Sequence, residues 1–339
     1  MQTATNVYVG LDYHQDSIQV CVLDSRGVVL GNRKVKNQAA EVVSSARAPV
    51  GNGVHAAIEA CCGSSDLAEE LVAKHGWTVD LAHPGYVARI KQHPDKTDLT
   101  DARLLADLVR VGYLPKVWLA PEWIRELRRL TRYRQQLVNE RRNIKLRIGA
   151  LLREQRIRGP KIGRWTKLWI AWLKACRDLS EQSRWLIDRH LCRHGLLSDE
   201  ITVVERRLQE VTQDDPLTQH LLRLAGVGLT TACVLRAEIG RFDRFRTGKQ
   251  LARFCGLSPR NASSGVRQAD AGLIKAANTH LRVAIIETAH RLIRYDTRWQ
   301  EMAQRLRDAG KPTSVVAPAV GNRWVRWLFH YVNSQAVAA

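Results

Sequence analysis

The apolar pattern of this chain changes character once, near residue 120, and that change bounds what the chain can fold into. Before it, short β-branched runs alternate with helical stretches. "VYVGLD" (7–12), "SIQVCVLD" (17–24), "GVVLGNRKV" (27–35) and "VHAAIEA" (54–60) read as strands. "SSDLAEELVAKHG" (64–76) reads as a helix with Ser or Asp caps and Gly76 as its stop, and "TVDLAHP" (78–84) as a further strand. From about residue 121 the spacing turns helical and stays so. Leu127, Leu130, Leu137, Ile144 and Leu151 recur near every seventh residue, which predicts a long, paired helix over 122–158. "RGPKIG" (158–163) breaks it. A second helical region with Trp165, Trp169, Trp172 and Trp185 runs to about 212, and "TQDDPLTQ" (212–219) links it to a compact C-terminal region.

Three strands as a meander, then alternating helix and strand, form an α/β pattern of the RNase H type. The 339 residues, 45% of them hydrophobic, suffice for more than one core. We expect an α/β domain over 1–118, a basic helical or coiled-coil segment over 119–215 and a mainly α domain over 216–339.

Charge divides the chain in a similar way. The net charge is +20, yet residues 1–100 hold nine Lys/Arg against 11 Asp/Glu, while residues 125–167 hold 15 against three. A basic stretch of that density suits a polyanion, nucleic acid ahead of an anionic membrane. The seven cysteines include no C-x-x-C pair, so neither a disulfide framework nor a zinc knuckle is indicated. The N-terminus lacks the form of a signal peptide, and no apolar run nears the roughly 18 residues of a membrane span. The expected location is the cytoplasm, with no membrane partner.

Four acids carry the first candidate chemistry. Asp12 ends the first strand, Glu59 lies near the end of a later one, and Asp98 and Asp101 share one helix face in "KTDLTDARLLADL" (96–108). Such carboxylates converging from strand ends and a helix make a hard oxygen site for Mg²⁺. Two ions, with Mn²⁺ as a substitute, would clamp the attacking and leaving oxygens of a phosphodiester. Each acid also has a plainer reading: Asp98 as an N-cap, Asp101 as a partner of the helix dipole, Asp12 as a turn residue, Glu59 as a buried acid paired with Lys. Asp107 and Asp95 read as solvated.

The second constellation is C-terminal. "LAGVGLTTACVL" (224–235) has the Gly-x-Gly turn of a helix-hairpin-helix, in which N–H groups near Gly226 and Gly228 could hold a DNA phosphate. A tight turn between packed helices explains it as well. In "GLSPRNASSGVRQADAGLIKAANTHLR" (256–282), Ser263 and Ser264 sit between Arg260 and Arg267. Lys275, Asn278 and Arg282 fall at i, i+3, i+7, as on one helix face. A serine amid cations could attack phosphorus. Composition alone favours an ordinary Ser/Gly surface loop.

Together the two constellations resemble one family, the DEDD insertion-sequence transposases known as bridge-RNA-guided recombinases. These pair a Holliday-junction-resolvase-like (RuvC-like, RNase H fold) domain with a C-terminal serine domain. The likeness spans nearly the whole chain, in order: "VGLD", "IEACCG", "KTDLTDA", "LAGVGLTTA", "FCGLSPR", "SSG", "IKAANTHLR" and "AGK" at 309–311. There are departures: Ala277 stands in "KAAN" where the family commonly has Gly, and the family's terminal Arg-Lys pair appears as "GNRWVRW" (321–327).

The resemblance implies metal-binding and catalytic roles for Asp12, Glu59, Asp98 and Asp101, and Ser264 as nucleophile with Ser263 as fallback. It implies a recombinase that excises and inserts its own element through a covalent serine–DNA intermediate. A structured guide RNA and the element's DNA would be its partners, and homodimers would pair into tetramers. A bacterial, nucleoid-associated setting follows. Two other readings stay open: a metal-dependent, structure-specific nuclease with water as nucleophile, and a nucleic-acid-binding protein without catalysis.

Overall fold

The computed structural model describes residues 7–46, 53–90, 97–261 and 270–336. The chain forms two compact units, 1–122 and 123–339.

In the first unit the elements run β1 (Val7–Tyr13), β2 (Ser17–Leu23), β3 (Val29–Lys36), α1 (Ala39–Ala46), β4 (Val54–Glu59), α2 (Ser64–His75), β5 (Thr78–Ala82), α3 (Pro84–Ile90), α4 (Asp98–Arg110) and β6 (Lys116–Val117). One six-stranded sheet has the order β3-β2-β1-β4-β5-β6. The β1–β3 meander is antiparallel, β4 and β5 continue parallel to β1, and β6 closes antiparallel to β5.

Strand alternation sorts the side chains onto two faces. Val9, Leu11, Val20, Val22, Ala56 and Ile58 pack with Val42 of α1 and Leu67 and Leu71 of α2. On the opposite face Cys21 and Leu23 meet Ala102 and Ala106 of α4, and Ala57 meets Leu105. Gly10 makes this contact very close: a Cβ there would lie 1.8 Å from the Ala102 carbonyl oxygen and 2.6 Å from the Ala106 nitrogen. Backbone of α4 therefore rests on backbone of β1.

The expected strands and the α2 span agree with the structure to within about two residues, and α1, α3 and β6 are additions. The caps differ. Gly63, not Ser or Asp, occupies the N-cap of α2 at φ 89°, and Ser64 instead hydrogen-bonds the Cys61 backbone at both N and O. Gly76 stops α2 in the left-handed conformation as expected.

The second unit contains α5 (Glu122–Glu154, entering from the last residue of the first unit), α6 (Lys167–Ala175), α7 (Glu181–Thr212), α8 (Pro216–Leu222), α9 (Leu229–Ile239), α10 (Gly248–Phe254), β7 (Pro259–Asn261), β8 (Asp270–Leu273), α11 (Thr279–Tyr295), α12 (Thr297–Asp308) and α13 (Thr313–Ala336). Helices α5 and α7 pair as an antiparallel hairpin. Arg134 of α5 meets Glu205 of α7 at 2.8 Å, Arg141 meets Ser198 at 3.3 Å, and Gln155, just past α5, meets Ser180 at 2.7 Å. Leu127, Leu137, Ile144 and Ile148 are buried in this seam with Ile187, Ile201, Val204 and Leu208. The seven-residue spacing is thus used inside the chain. A second core joins α8 to α13 around Leu235, Ile239, Leu281, Ile285 and Trp324.

The expectation of helix throughout after residue 121 is corrected by the antiparallel β7–β8 pair. Pro259, Asp270 and Gly272 in these segments are poor helix formers, and the pair is only three and four residues long. No helix among the described residues is long and apolar enough to cross a membrane.

Candidate active site

Asp12 and Glu59 stand at the C-terminal ends of neighbouring parallel strands. The register Leu11↔Ile58 makes them the next pair, and alternation from Gly10 and Ala57 turns both toward the α4 face. From the Gly10–Ala102 contact, two strand residues advance about 6.6 Å to Asp12. Four helix residues advance about 6 Å back to Asp98. The first turn of α4 is thereby level with the end of β1.

The cap of α4 decides one alternative. Thr97, not Asp98, is the N-cap, and with Thr100 it forms a reciprocal capping box. Capping therefore makes no claim on the Asp98 carboxylate. Asp98 Oδ1 lies 3.5 Å from His14 Nε2 and its Oδ2 lies 3.5 Å from Lys34 Nζ. His14 Nε2 is 3.2 Å from Asp12 Oδ2. Asp12, His14 and Asp98 each offer a ligand atom within 4.8 Å of the others. Asp12 is 14% exposed at its side chain and Asp98 45%, so the cluster opens to solvent. Asp101 is buried on the same turn at 8% exposure, and Glu59 is half-buried. Asp107, expected to be solvated, is half-exposed and pairs with Arg110 at 2.6 Å; Asp95 lies outside the described residues.

In the second unit Gly226 has φ 75°, and its carbonyl accepts from Arg291 at 2.8 Å. Gly228 is the N-cap of α9 and makes no side-chain cap. Arg260 is exposed on β7. Ser263, Ser264 and Arg267 lie outside the described residues. The helix-face reading of Lys275, Asn278 and Arg282 is corrected, because α11 begins only at Thr279. Lys275 is exposed ahead of the helix. Asn278 is its N-cap, accepting from Leu281 N at 3.0 Å and donating to Glu238 Oε2 at 2.7 Å. Arg282 donates to the Ile274 carbonyl. Ala277 finds room because position 256 is Gly at φ 73°, where a Cβ would fall 2.7 Å from the Ala277 Cβ.

Glu238 was not legible as a key residue, although a lone acid in "LTTACVLRAEI" is a signal of a buried partner. It is 2% exposed and accepts from Arg132 at 2.8 and 3.0 Å. Burial works to raise its carboxyl pKa, but the Arg132 guanidinium, with Asn278 and Arg128, outweighs burial and holds it below the usual carboxylate value. His14 was also missed. Its i, i+2 spacing from Asp12 would place both on one side of an extended strand.

The same two regions match known proteins. Residues 9–156 match the transposase model of DEDD IS110 type, and residues 218–304 match that of the transposase IS116/IS110/IS902 family. The chain belongs to the IS110 family of DEDD-type transposases. Among its relatives is a probable family 20 transposase of Pseudomonas aeruginosa, 27% identical, with 96% of this chain and 97% of the relative aligned. The transposase for insertion sequence element IS1111A of Coxiella burnetii is 28% identical over 85% of this chain and 78% of its own. That for IS1328 of Yersinia enterocolitica is 26% identical over 69% of each.

A transposase of the DEDD type implies a divalent metal, and the residues present fit one. Two carboxylates and an imidazole, within 4.8 Å of one another at an open strand end, form a donor set for a small dication. Family membership likewise implies DNA as a partner.

Proposed function

We propose that this transposase cuts and rejoins the DNA of its mobile element at two cooperating groups, the acids of the first unit and Ser264 of the second. The observation that carries the reading is the Asp12–His14–Asp98 cluster, set at the end of β1 by the α4 contact at Gly10. The sheet order β3-β2-β1-β4-β5, with an antiparallel meander followed by parallel strands, supports an RNase H-like, resolvase-type fold for residues 1–118. Asp12, Glu59, Asp98 and Asp101 would then hold Mg²⁺, one ion or two, or Mn²⁺. When bound, such a metal neutralises charge on the scissile phosphate.

Ser264 Oγ attacks phosphorus, a deoxyribose oxygen departs, and a serine–phosphate ester forms. The reverse attack by a second DNA end restores both the serine and a phosphodiester. Bond energy is conserved, so rejoining needs no external energy source. Arg260, Arg267 and Lys275 flank the serine in sequence and would bind the strand's phosphates, with the Gly226–Gly228 turn as a further phosphate contact. Asn278 and Arg282 serve by holding the α11 start in place. The exposed cations of the 119–215 segment, among them Arg129, Arg142, Arg147 and Arg153, suit the phosphates of DNA and of a structured guide RNA that supplies target choice by pairing. Dimers pairing into tetramers would bring a serine of one subunit to the acids of another.

Two substitutions test this. Ser264→Ala should abolish covalent trapping of protein on element-end DNA, and Asp12→Asn should abolish strand cleavage. Cleavage that persists in Ser264→Ala would move the nucleophile to water. Purification of active protein without a discrete RNA would remove the guide.

A further inference from the structure

We propose that a groove between α12 and α13 binds unpaired, phosphodiester-linked nucleotides. This rests on the reading of the chain as a nucleic-acid enzyme but concerns residues other than the acids and the serine. The groove encloses about 700 Å³, and its lining includes Arg298, Trp299 and Arg305 from α12 and Arg323, Arg326 and Trp327 from α13. Arg298 and Arg305 are seven apart and Arg323 and Arg326 three apart, so each helix turns two guanidinium groups to the same side.

Charge indicates the ligand class. No carboxylate lines the groove, and among the described residues none of these four arginines pairs with one. Four like charges around one cavity repel each other, and an anion bound there relieves that repulsion. A strand carries one negative charge per nucleotide, so successive phosphates can meet successive guanidiniums.

The aromatic lining narrows the class further. Trp327 stacks on Tyr331 with centroids 5.0 Å apart and planes 18° apart, and Tyr331 stacks on His220 at 5.0 Å and 19°. Arg298 lies over the Trp299 ring at 4.9 Å. A base placed on Trp327 would continue an existing column of rings. Inorganic phosphate makes no use of indoles, and a duplex keeps its bases paired and out of reach of a concave floor. Unpaired nucleotides use both features, since stacking contributes about 1–3 kcal/mol per base. DNA and RNA strands share this chemistry.

The test uses the full-length chain and fluorescein-labelled oligo-dT, oligo-U and a hairpin duplex, read by fluorescence anisotropy at several salt concentrations. Arg305 and Arg323 are exposed, so the double variant Arg305→Gln/Arg323→Gln should keep the wild-type circular dichroism and melt. Its affinity for single strands should fall at least about tenfold, with the salt slope reduced by about 1.4 for two lost phosphate contacts. Duplex affinity should change less than about twofold. Strands carrying 5-iodouracil should photocross-link to Trp327, identified by mass spectrometry.

Loss in the DNA arm alone assigns the groove to a displaced DNA strand, loss in the RNA arm alone to RNA, and loss in both to backbone and base without regard to sugar. Unchanged single-strand affinity, equal loss on duplex, or cross-links confined to other residues would overturn the proposal. So would binding of anionic lipid vesicles through these arginines without binding of strands. Because the readout is binding, a Ser264→Ala chain that fails to trap DNA leaves the result intact.

Discussion

A methyl group at position 10 would sit 1.8 Å from the Ala102 carbonyl oxygen, so any side chain there must push α4 off β1. Asp98 and Asp101 ride on that helix, and Asp12 is two residues along that strand. Gly10→Ala should therefore cost about 1–3 kcal/mol in urea unfolding, as overpacking does. It should also suppress DNA cleavage and weaken Mn²⁺ binding measured by electron paramagnetic resonance, with all four acids still present. Wild-type cleavage in Gly10→Ala would sink this positioning role. The sequence made the acids visible because carboxylates at strand ends are conspicuous, and it left the cap of α4 open between catalytic and structural readings. Only the Thr97–Thr100 box resolves that, because both Asp98 and Thr97 are competent caps. His14 escaped notice because its i, i+2 spacing from Asp12 gains meaning only once the fold sets Asp98 beside both.

Among elements, the meeting of α5, α9 and α11 at Glu238 is the most exacting. Arg132 comes from α5, Asn278 from the start of α11, and Arg128 donates to the Ala237 carbonyl at 2.6 Å. Glu238→Ala leaves the half-exposed Arg132 guanidinium and the Asn278 amide without their acceptor and should destabilise the second unit by about 1–3 kcal/mol, read from the urea midpoint. Glu238→Gln, which keeps hydrogen bonding, should cost less.

The pH dependence has a definite sign. A carboxylate held below its ordinary value of 4.5 contributes stability that is fully present above that value and drains away as pH falls through its folded one. Asp215, held down by Arg236 and Thr218 against burial, acts in the same direction. Melting temperature should fall with pH below about 4.5 in wild type, and less so in Glu238→Gln. Long helices were legible here because α5 and α7 carry several apolar repeats each, whereas β7 and β8 are too short to show a period. The start of α11 was misplaced by four residues because "IKAAN" has good helix formers that the Asn278 cap excludes.

For the whole molecule, the polarity between a mildly acidic start and a strongly basic middle was read directly from charge. Which cations remain available was not, since Arg128, Arg132, Arg134 and Arg141 are all engaged within the second unit. Arg142 and Arg147 are exposed on α5. Replacing both with Gln should leave thermal stability unchanged and reduce the slope of log affinity against log salt by about 1.8 on duplex DNA, at about 0.9 per phosphate contact. An unchanged slope would assign the polyanion surface to other residues.

The α5–α7 hairpin also sets a length. Arg132, anchored at Glu238, and Glu154, the last residue of α5, are 22 residues apart on one continuous helix, about 33 Å. One turn of B-form DNA advances about 34 Å. A duplex laid along the hairpin would present the same groove at both ends of that span. Deleting one heptad from each helix would shorten the span by about 10 Å and put its two ends on different sides of such a duplex.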